Sequence, residues 1–241
     1  MNAIETKNLT KKYKDKIAVD ELNLTIREGE LYGLLGVNGA GKSTTIKMLS
    51  TLTCPTSGDA EVLGHGIISE RAKVKELINV SPQETAVAAK LSVRENLEFT
   101  ARIYGADKQT ARKKAEETIE KFDMEEIAKQ KAGTLSGGWQ RRLSIAMALI
   151  SEPKLLFLDE PTLGLDVLAR RELWHVIEKL KGRITVILTT HYLEEAEALC
   201  DRIGIMSKGK LRAEGTAEEL KARAGTDDFE EAFIRITEEK K

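Results

Sequence analysis

The feature that most constrains the fold is a glycine-rich loop that follows a short apolar run. Residues 36–43 read G-V-N-G-A-G-K-S, and the run before them, 31–35, reads L-Y-G-L-L. A strand that opens into such a loop is typical of phosphate sites, because glycines let backbone N–H groups approach phosphate oxygens. Lys42 would reach the β- and γ-phosphates, and the Ser43 hydroxyl could ligate Mg²⁺. The residues predicted to contact a nucleoside triphosphate are Gly36, Asn38, Gly39, Ala40, Gly41, Lys42, Ser43 and Thr44.

Composition excludes several classes of protein. The chain has 241 residues, 38 basic and 39 acidic, so its formal net charge of -1 predicts no nucleic-acid partner. Cys54 and Cys200 lie far apart in the sequence, as expected of reduced thiols rather than a disulfide framework. The N-terminus lacks an apolar core of signal-peptide length, and charged residues interrupt every long apolar stretch. We therefore expect a soluble cytoplasmic protein.

Two further apolar runs predict central strands of a parallel sheet. They are L-L-F-L at 155–158 and I-T-V-I-L at 184–188, and their nearly continuous hydrophobicity suits strands that are covered on both faces. Asp159 and Glu160 follow the first run, and His191 follows the second. Ligands of open α/β sheets bind beyond the carboxyl ends of the strands, so we expect these groups to converge on the phosphate loop.

The polar residues at these strand ends suggest a hydrolytic reaction. Asp159 could hold the Mg²⁺ that Ser43 also binds, and Glu160 could orient or deprotonate a water in line with the γ-phosphate. His191 could hydrogen-bond the γ-phosphate. The alternative for Asp159 and Glu160 is an acidic turn before Pro161 without a catalytic role. The alternative for His191 is an ordinary histidine of the core.

The remaining segments predict elements around these strands. Alternating residues between Ile4 and Ile26 favour antiparallel strands, and Lys, Arg and Glu recur at helical spacing over 108–131. The interleaved glutamates favour a solvated helical face over a nucleic-acid surface for this second region. Helices are also predicted over 43–52, 141–150 and 193–201, a hairpin over 203–213, and a short amphipathic helix with a frayed tail within 217–241.

The predicted fold class is α/β, with a P-loop NTPase core. It combines a central, mainly parallel sheet with an antiparallel β portion and an inserted helical subdomain. We predict one ATP-binding domain over 1–241, divided into a nucleotide-binding core (1–85 and 151–215), the helical subdomain (86–150) and a C-terminal tail (216–241).

The segment L-S-G-G-W-Q at 135–140 completes an ordered set of motifs. From about residue 4 to residue 215, the chain resembles the ATP-binding subunit of ATP-binding cassette (ABC) transporters. The stretch that begins T-T-H-Y-L-E-E-A is most similar to drug, sodium or polysaccharide exporters. In chain order, the motifs are the phosphate loop, Gln83, L-S-G-G, L-L-F-L-D-E, Gly164-Leu165-Asp166 and His191.

The L-S-G-G segment has the chemistry of a second anion site. The Ser136 hydroxyl and the amides of Gly137 and Gly138 are predicted at a helix N-terminus. The resemblance implies that two subunits pair head to tail, so that each ATP lies between the Lys42 loop of one subunit and the Ser136 loop of the other.

The resemblance also implies roles for three single residues. Tyr13 would stack on adenine, with an ordinary strand-end tyrosine as the alternative. Gln83 would ligate Mg²⁺ and link the attacking water to the transmembrane partner, and Asp166 would lie in the loop that crosses the dimer interface. The sequence departs from the family at Trp139 and Leu163, where polar residues are common, which leaves the hydrolysis rate and the packing at the dimer interface open.

By resemblance, the protein is an ATPase that powers transport, in the export direction, through a separate transmembrane permease. It would work as a homodimer or a heterodimer at the inner face of the cell membrane. The alternatives are soluble cassette ATPases of DNA repair, chromosome organisation or translation, which would need a coiled-coil insertion or a second cassette. A further alternative is a cofactor-assembly ATPase, and the only sequence feature against it is the similarity of the C-terminal half to exporters. The transported substrate is not predicted.

Overall fold

The computed structural model describes residues 1–238. Its elements, in chain order, are β1 (Asn2–Tyr13), β2 (Lys16–Leu22), β3 (Thr25–Arg27), β4 (Leu31–Leu35), α1 (Lys42–Leu49), β5 (Ser57–Val62), β6 (His65–Gly66), α2 (Arg71–Leu77), β7 (Ile78–Ser81), α3 (Val93–Ile103), α4 (Lys108–Lys121), a 3₁₀ turn (Ala132–Thr134), α5 (Gly137–Leu149), β8 (Leu155–Asp159), α6 (Val167–Glu178), β9 (Thr185–Thr190), α7 (Leu193–Leu199), β10 (Arg202–Ser207), β11 (Lys210–Gly215), α8 (Ala217–Ala224) and α9 (Phe229–Glu238).

The larger sheet forms the centre of the described chain. Its six strands follow the order β11-β10-β4-β9-β8-β7, and all neighbours pair in parallel except β10 and β11. Every residue of β4, β8 and β9 is buried, as the continuous apolar runs predict. The α/β fold class and the mainly parallel sheet predicted from the sequence are confirmed.

A smaller antiparallel sheet lies beside the phosphate loop. Strand β1 pairs with β2, β3 and β5, and β5 pairs with the short β6. The β1–β2 hairpin brings Tyr13 and Lys16 opposite each other. Antiparallel strands near the N-terminus are therefore confirmed, whereas β5, β6, α2 and β7 lie in a stretch whose pattern predicts no particular element.

The segment between β7 and β8 is helical, as predicted. The Ser92 side chain caps α3 in a reciprocal pair with Glu95, Asp107 caps α4, and Ser136 caps α5. Leu97, Ile119 and Leu143 belong to one core cluster with Leu156 and Leu158 of β8, and α5 packs directly on β7 and β8. Within residues 1–238, no helix is both long and apolar enough to cross a bilayer.

The bounds predicted for four helices differ from those in the structure. Helix α1 runs from Lys42 to Leu49 rather than over 43–52, and α7 ends at Leu199 rather than at residue 201. Helix α4 ends at Lys121, although charged residues at helical spacing continue to residue 131. Helix α5 begins at Gly137 with Ser136 as its N-cap, so the helix N-terminus predicted at the L-S-G-G segment is confirmed, whereas the run predicted over 141–150 covered only the later part of the helix. Residues in the left-handed region follow two of these ends, Thr51 with φ 60° and Asp123 with φ 53°, and a right-handed helix cannot continue through them.

The C-terminal prediction was also incomplete. The structure has two helices there, α8 and α9, rather than one. Gly225 ends α8 in the left-handed conformation, with φ 68°, which is the usual reason that a helix stops at glycine. The predicted frayed tail at residues 239–241 lies outside the described residues.

Two phenylalanines provide a matched test of the core. Phe157, in β8, is 0% exposed, and Phe99, on α3, is 55% exposed. We expect Phe157→Ala to lower the free energy of unfolding by about 3–5 kcal/mol, because it removes a buried ring and leaves a cavity. Phe99→Ala should lower it by less than about 1 kcal/mol. Urea unfolding followed by circular dichroism measures both, and equal losses would contradict this assignment of the core.

Candidate nucleotide-binding site

The phosphate loop connects β4 to α1 and lies close to two other strands. A Cβ added at Gly36 would lie 2.5 Å from the Met206 carbonyl oxygen, and one added at Gly41 would lie 2.5 Å from the Ala18 carbonyl oxygen. Gly41 also has φ 110°, which L side chains rarely adopt. Both positions therefore require glycine for the loop to take this path between β2 and β10.

Lys42, the first residue of α1, points back into the loop. Its side chain is 5% exposed, and its ammonium group donates to the Gly36 carbonyl oxygen over 2.6 Å. The same nitrogen lies 3.1 Å from Oε1 of Glu160, which is also buried. A buried ion pair thus joins the phosphate loop to the end of β8.

The Asp159 carboxylate accepts hydrogen bonds from hydroxyl groups on two other elements. Ser43 Oγ donates to Asp159 Oδ1 over 3.0 Å, and Thr189 Oγ1, on β9, donates to the same oxygen over 2.5 Å. Carboxylate and hydroxyl oxygens are donors that Mg²⁺ prefers. This donor set therefore fits a magnesium ion beside the loop.

Glu160 is held in an unusual backbone conformation. Its φ is 49°, in the left-handed region, and its N–H donates to both the carbonyl and the hydroxyl oxygen of Thr189, over 3.1 and 3.0 Å. Oε2 lies 2.6 Å from Nδ1 of His191. Because a carboxylate oxygen accepts, the hydrogen of this contact is on Nδ1. The structure therefore brings together the groups that follow β4, β8 and β9.

Glu160 and His191 line a cavity of about 540 Å³ together with the phosphate loop. The β1–β2 hairpin contributes Tyr13, Lys16 and Ala18, and Gln83 and Leu163 lie elsewhere on the wall. The Tyr13 side chain is 46% exposed, so its ring is accessible for stacking. The phosphate-loop part of the lining comprises Asn38, Gly39, Ala40, Gly41, Lys42, Ser43 and Thr44. The volume falls within the range of small-molecule sites.

The L-S-G-G segment lies at a different cavity. Ser136 caps α5 by accepting from the Trp139 N–H over 3.5 Å, and the Arg142 guanidinium lies 4.4 Å from the Trp139 ring centroid. Asp166 caps α6 and accepts from the Ala169 N–H over 2.9 Å. This small cavity, of about 40 Å³, shares no lining residue with the larger one. Within one chain, Ser136 and Lys42 therefore do not line a common cavity.

Sequence reasoning missed Arg141, a buried arginine on α5. Its guanidinium donates to the carbonyl oxygens of Pro161 over 2.7 Å and of Asp159 over 2.8 Å. It also donates to the carbonyl oxygens of Pro82 and Gln83, the latter over 3.1 Å. No feature of the sequence separates Arg141 from its neighbour Arg142, because the contacts that distinguish them come from distant segments.

Burial and nearby charge act in opposite directions on Arg141. Burial lowers the pKa of its guanidinium to about 10, although the carboxylates of Asp159, Glu195 and Glu160 raise it. Arg141 is therefore protonated at neutral pH, and it brings a positive charge close to the acidic groups of the site.

Glu195 is a second residue that the sequence did not indicate. It is fully buried in α7, and Oε1 accepts from Trp174 Nε1 over 3.0 Å. Burial raises the pKa of its carboxyl, the hydrogen bond from Trp174 lowers it, and the neighbouring Glu160 raises it further. The protonated form is therefore favoured more than for an ordinary glutamate.

Comparison with known proteins identifies relatives over most of the chain. A family model described as ABC transporter matches residues 19–163. The chain is 42% identical over 239 residues to the probable multidrug ABC transporter ATP-binding protein YbhF of Escherichia coli K12, an alignment that covers 97% of this chain and 41% of YbhF. It is 44% identical over 226 residues to the daunorubicin resistance ATP-binding protein DrrA3 of Streptomyces coeruleorubidus, covering 93% of this chain and 72% of DrrA3. The chain thus spans less than half the length of YbhF.

Solved structures share the fold. An ATP-binding subunit of an ABC transporter superposes with a TM-score of 0.85 at 27% identity, covering 98% of this chain and 100% of the other. A dimeric ATP-binding cassette protein in a post-hydrolysis state, bound to ADP and Pi, superposes with a TM-score of 0.79 at 29% identity, covering 88% of this chain and 98% of the other.

The family match includes the phosphate loop, the L-S-G-G segment and the acidic end of β8. The alignment with DrrA3 extends through His191 and most of the remaining chain. On these grounds, the chain belongs to the ATP-binding subunit family of ABC transporters.

Proposed function

We propose that this chain binds and hydrolyses ATP and thereby powers export through a separate transmembrane partner. The observation that carries the proposal is the meeting of Lys42, Asp159, Glu160 and His191 at one edge of the parallel sheet. Several relatives between 42% and 46% identical carry multidrug or drug-resistance names, which favours transport over a role in cofactor assembly.

The loop residues bind the phosphates of ATP. Backbone N–H groups of the loop and of the first turn of α1 face the anion, and Lys42 adds a positive charge. Lys42 Nζ lies 3.1 Å from Glu160 Oε1, so phosphate oxygens would compete with Glu160 for the same ammonium. Nucleotide binding would therefore free the carboxylate of Glu160 to contact water.

Ser43, Asp159 and Gln83 are the proposed magnesium ligands. Ser43 and Asp159 are already joined by a 3.0 Å hydrogen bond, and Gln83 lines the cavity that Ser43 also lines. A bound Mg²⁺ would neutralise charge on the phosphate oxygens. Thr189 holds the Asp159 carboxylate in place by donating to the same Oδ1 atom over 2.5 Å.

Glu160 orients the attacking water and accepts its proton. Its backbone is fixed by two hydrogen bonds to Thr189, and its carboxylate is held by His191 Nδ1. With Nδ1 donating to Glu160, the Nε2 atom of His191 would donate to a γ-phosphate oxygen when both ring nitrogens carry a hydrogen. The two residues would thus align water and phosphate for displacement.

A head-to-tail dimer would complete the site. Ser136, Gly137 and Gly138 present donors at the N-terminus of α5, away from the cavity of their own Lys42. In the dimer, these donors would contact the ATP that is held by the Lys42 loop of the second copy or of a sister subunit. Asp166 would lie at the dimer interface. The related dimeric cassette protein with ADP and Pi supports this arrangement. Tyr13 would stack on the adenine.

The membrane partner would dock beside the helical segment. Three large apolar side chains on or after α3 are more than half exposed: Phe99, Ile103 and Tyr104. Tyr104 accepts a hydrogen bond from Asn79 of β7, so this surface adjoins the strand that leads to Gln83. Docking there would place the chain at the cytoplasmic face of the membrane.

Residues 86–150 would move as a helical subdomain against the core formed by 1–85 and 151–215.

The first test replaces Glu160. We expect Glu160→Gln to retain ATP binding, because the phosphate loop is unchanged, and to lower the hydrolysis rate by a factor of about 10² or more. ATP should then trap the variant as a dimer. Phosphate release and gel filtration with and without ATP measure these effects. Hydrolysis near the wild-type rate would remove Glu160 from the role of base.

The second test mixes two inactive variants. Lys42→Ala removes the phosphate charge, and Ser136→Arg blocks the second anion site, so each homodimer should be inactive. A mixed dimer has one intact composite site, because each chain supplies the element that the other lacks. Random pairing of equal amounts predicts recovery of up to roughly a quarter of wild-type ATPase activity. Coupling between the two sites would lower that value.

A control decides the mixing experiment. Wild type mixed with Ser136→Arg shows whether a dimer with one intact site turns over, and crosslinking verifies that mixed dimers form. If that control exceeds the roughly one quarter of wild-type activity that its wild-type homodimers supply, while mixed Lys42→Ala and Ser136→Arg dimers gain nothing over either variant alone, catalysis is contained within one chain and the composite site is wrong.

A further inference from the structure

Arg141 connects α5, the helix that Ser136 caps, to two loops of the nucleotide site. One loop carries Gln83, and the other is the turn from Asp159 to Pro161. The guanidinium donates to carbonyl oxygens in both, over 3.1 Å to Gln83, 2.8 Å to Asp159 and 2.7 Å to Pro161. Glu160 lies between two of these acceptors in the sequence. One side chain thus fixes the backbone on either side of the proposed base.

The contacts of Arg141 suit positioning better than simple packing. Its side chain is 4% exposed, yet all of its hydrogen-bond acceptors are neutral carbonyl groups. Burying a cation without a direct ion pair is costly, so the hydrogen bonds to these carbonyl oxygens must offset that cost. What the guanidinium adds is a rigid, planar set of five donors that can hold several carbonyls at fixed relative positions.

The neighbouring Arg142 has different contacts. It faces the Phe122 carbonyl oxygen, Glu172 and the Trp139 ring, and makes no hydrogen bond to the Gln83 loop or to the Asp159–Pro161 turn. Successive residues of a helix point about 100° apart, so only one of the two arginines can reach these loops. The connection therefore belongs to Arg141 itself.

We propose that Arg141 is a positioning residue that holds the Gln83 loop and the Glu160 turn at a fixed place relative to α5. This inference rests on the proposed function, in which Glu160 orients water and Ser136 binds phosphate. Ser136 caps the same helix five residues earlier, so Arg141 ties the position of the second anion site to that of the proposed base.

The test compares Arg141→Gln and Arg141→Lys with Arg202→Gln. Arg202 is also partly buried and contacts Glu30 and Glu214, but it does not line the nucleotide cavity. Steady-state ATPase assays give kcat and KM, and hydrogen–deuterium exchange without nucleotide reports on peptides covering 83–90 and 159–165. Thermal unfolding of each variant sets an assay temperature at which all are folded.

We expect Arg141→Gln to lower kcat roughly 10- to 100-fold while KM for ATP changes less than about threefold, because Lys42 and its loop remain in place. Exchange should rise in the two peptides and stay near wild type in β9. Arg141→Lys, which keeps the charge and some of the donors, should fall between Arg141→Gln and wild type. Arg202→Gln should retain kcat within about twofold, even if its stability falls.

Several results would overturn the inference. They are a kcat for Arg141→Gln within twofold of wild type, unchanged exchange in both peptides, or faster exchange throughout the chain. Failure of Arg141→Lys to fold would also overturn it, since the role would then be general stability. If wild type hydrolyses no ATP, the proposed function fails, and the exchange comparison still decides whether Arg141 holds the two loops.

Discussion

The buried pair of Lys42 and Glu160 is the interaction on which the rest of the site depends. Burying two charges is costly, and here the cost is offset by their 3.1 Å contact, by the Gly36 carbonyl oxygen on Lys42 and by His191 on Glu160. A phosphate group would offer Lys42 a stronger negative partner than one carboxylate does. The pair therefore makes the position of the proposed base sensitive to occupation of the phosphate loop.

The parallel sheet brings this pair together. Lys42 follows β4, Glu160 follows β8 and His191 follows β9, and these strands are neighbours in the order β4-β9-β8. Since parallel strands end at one edge, residues more than a hundred positions apart become neighbours. Thr189, in the middle strand of the three, bonds to both Asp159 and Glu160 and so fixes the acidic turn to the sheet.

The central strands and the phosphate loop could be predicted from the sequence because their signals are local. A continuous apolar run identifies a strand that is buried on both faces, and the glycines of the loop recur at fixed spacing. Arg141 and Glu195 could not be predicted in this way. Each is one charged residue on an otherwise ordinary helix, and its importance comes from contacts with distant segments. The strands between residues 57 and 81 are short or only half buried, so their pattern was too weak to interpret.

The most direct measurement of the central claim is a crystal structure of Glu160→Gln with ATP and Mg²⁺. The account predicts two chains related head to tail, with Lys42 of one chain on the β- and γ-phosphates. Ser136 Oγ of the other chain should lie within about 3 Å of a γ-phosphate oxygen. Asp159 and Ser43 should lie beside the metal. The side chain of residue 160 should no longer contact Lys42 Nζ. An ATP molecule whose phosphates contact one chain only, with Ser136 facing solvent in a dimer of any other symmetry, would contradict the account.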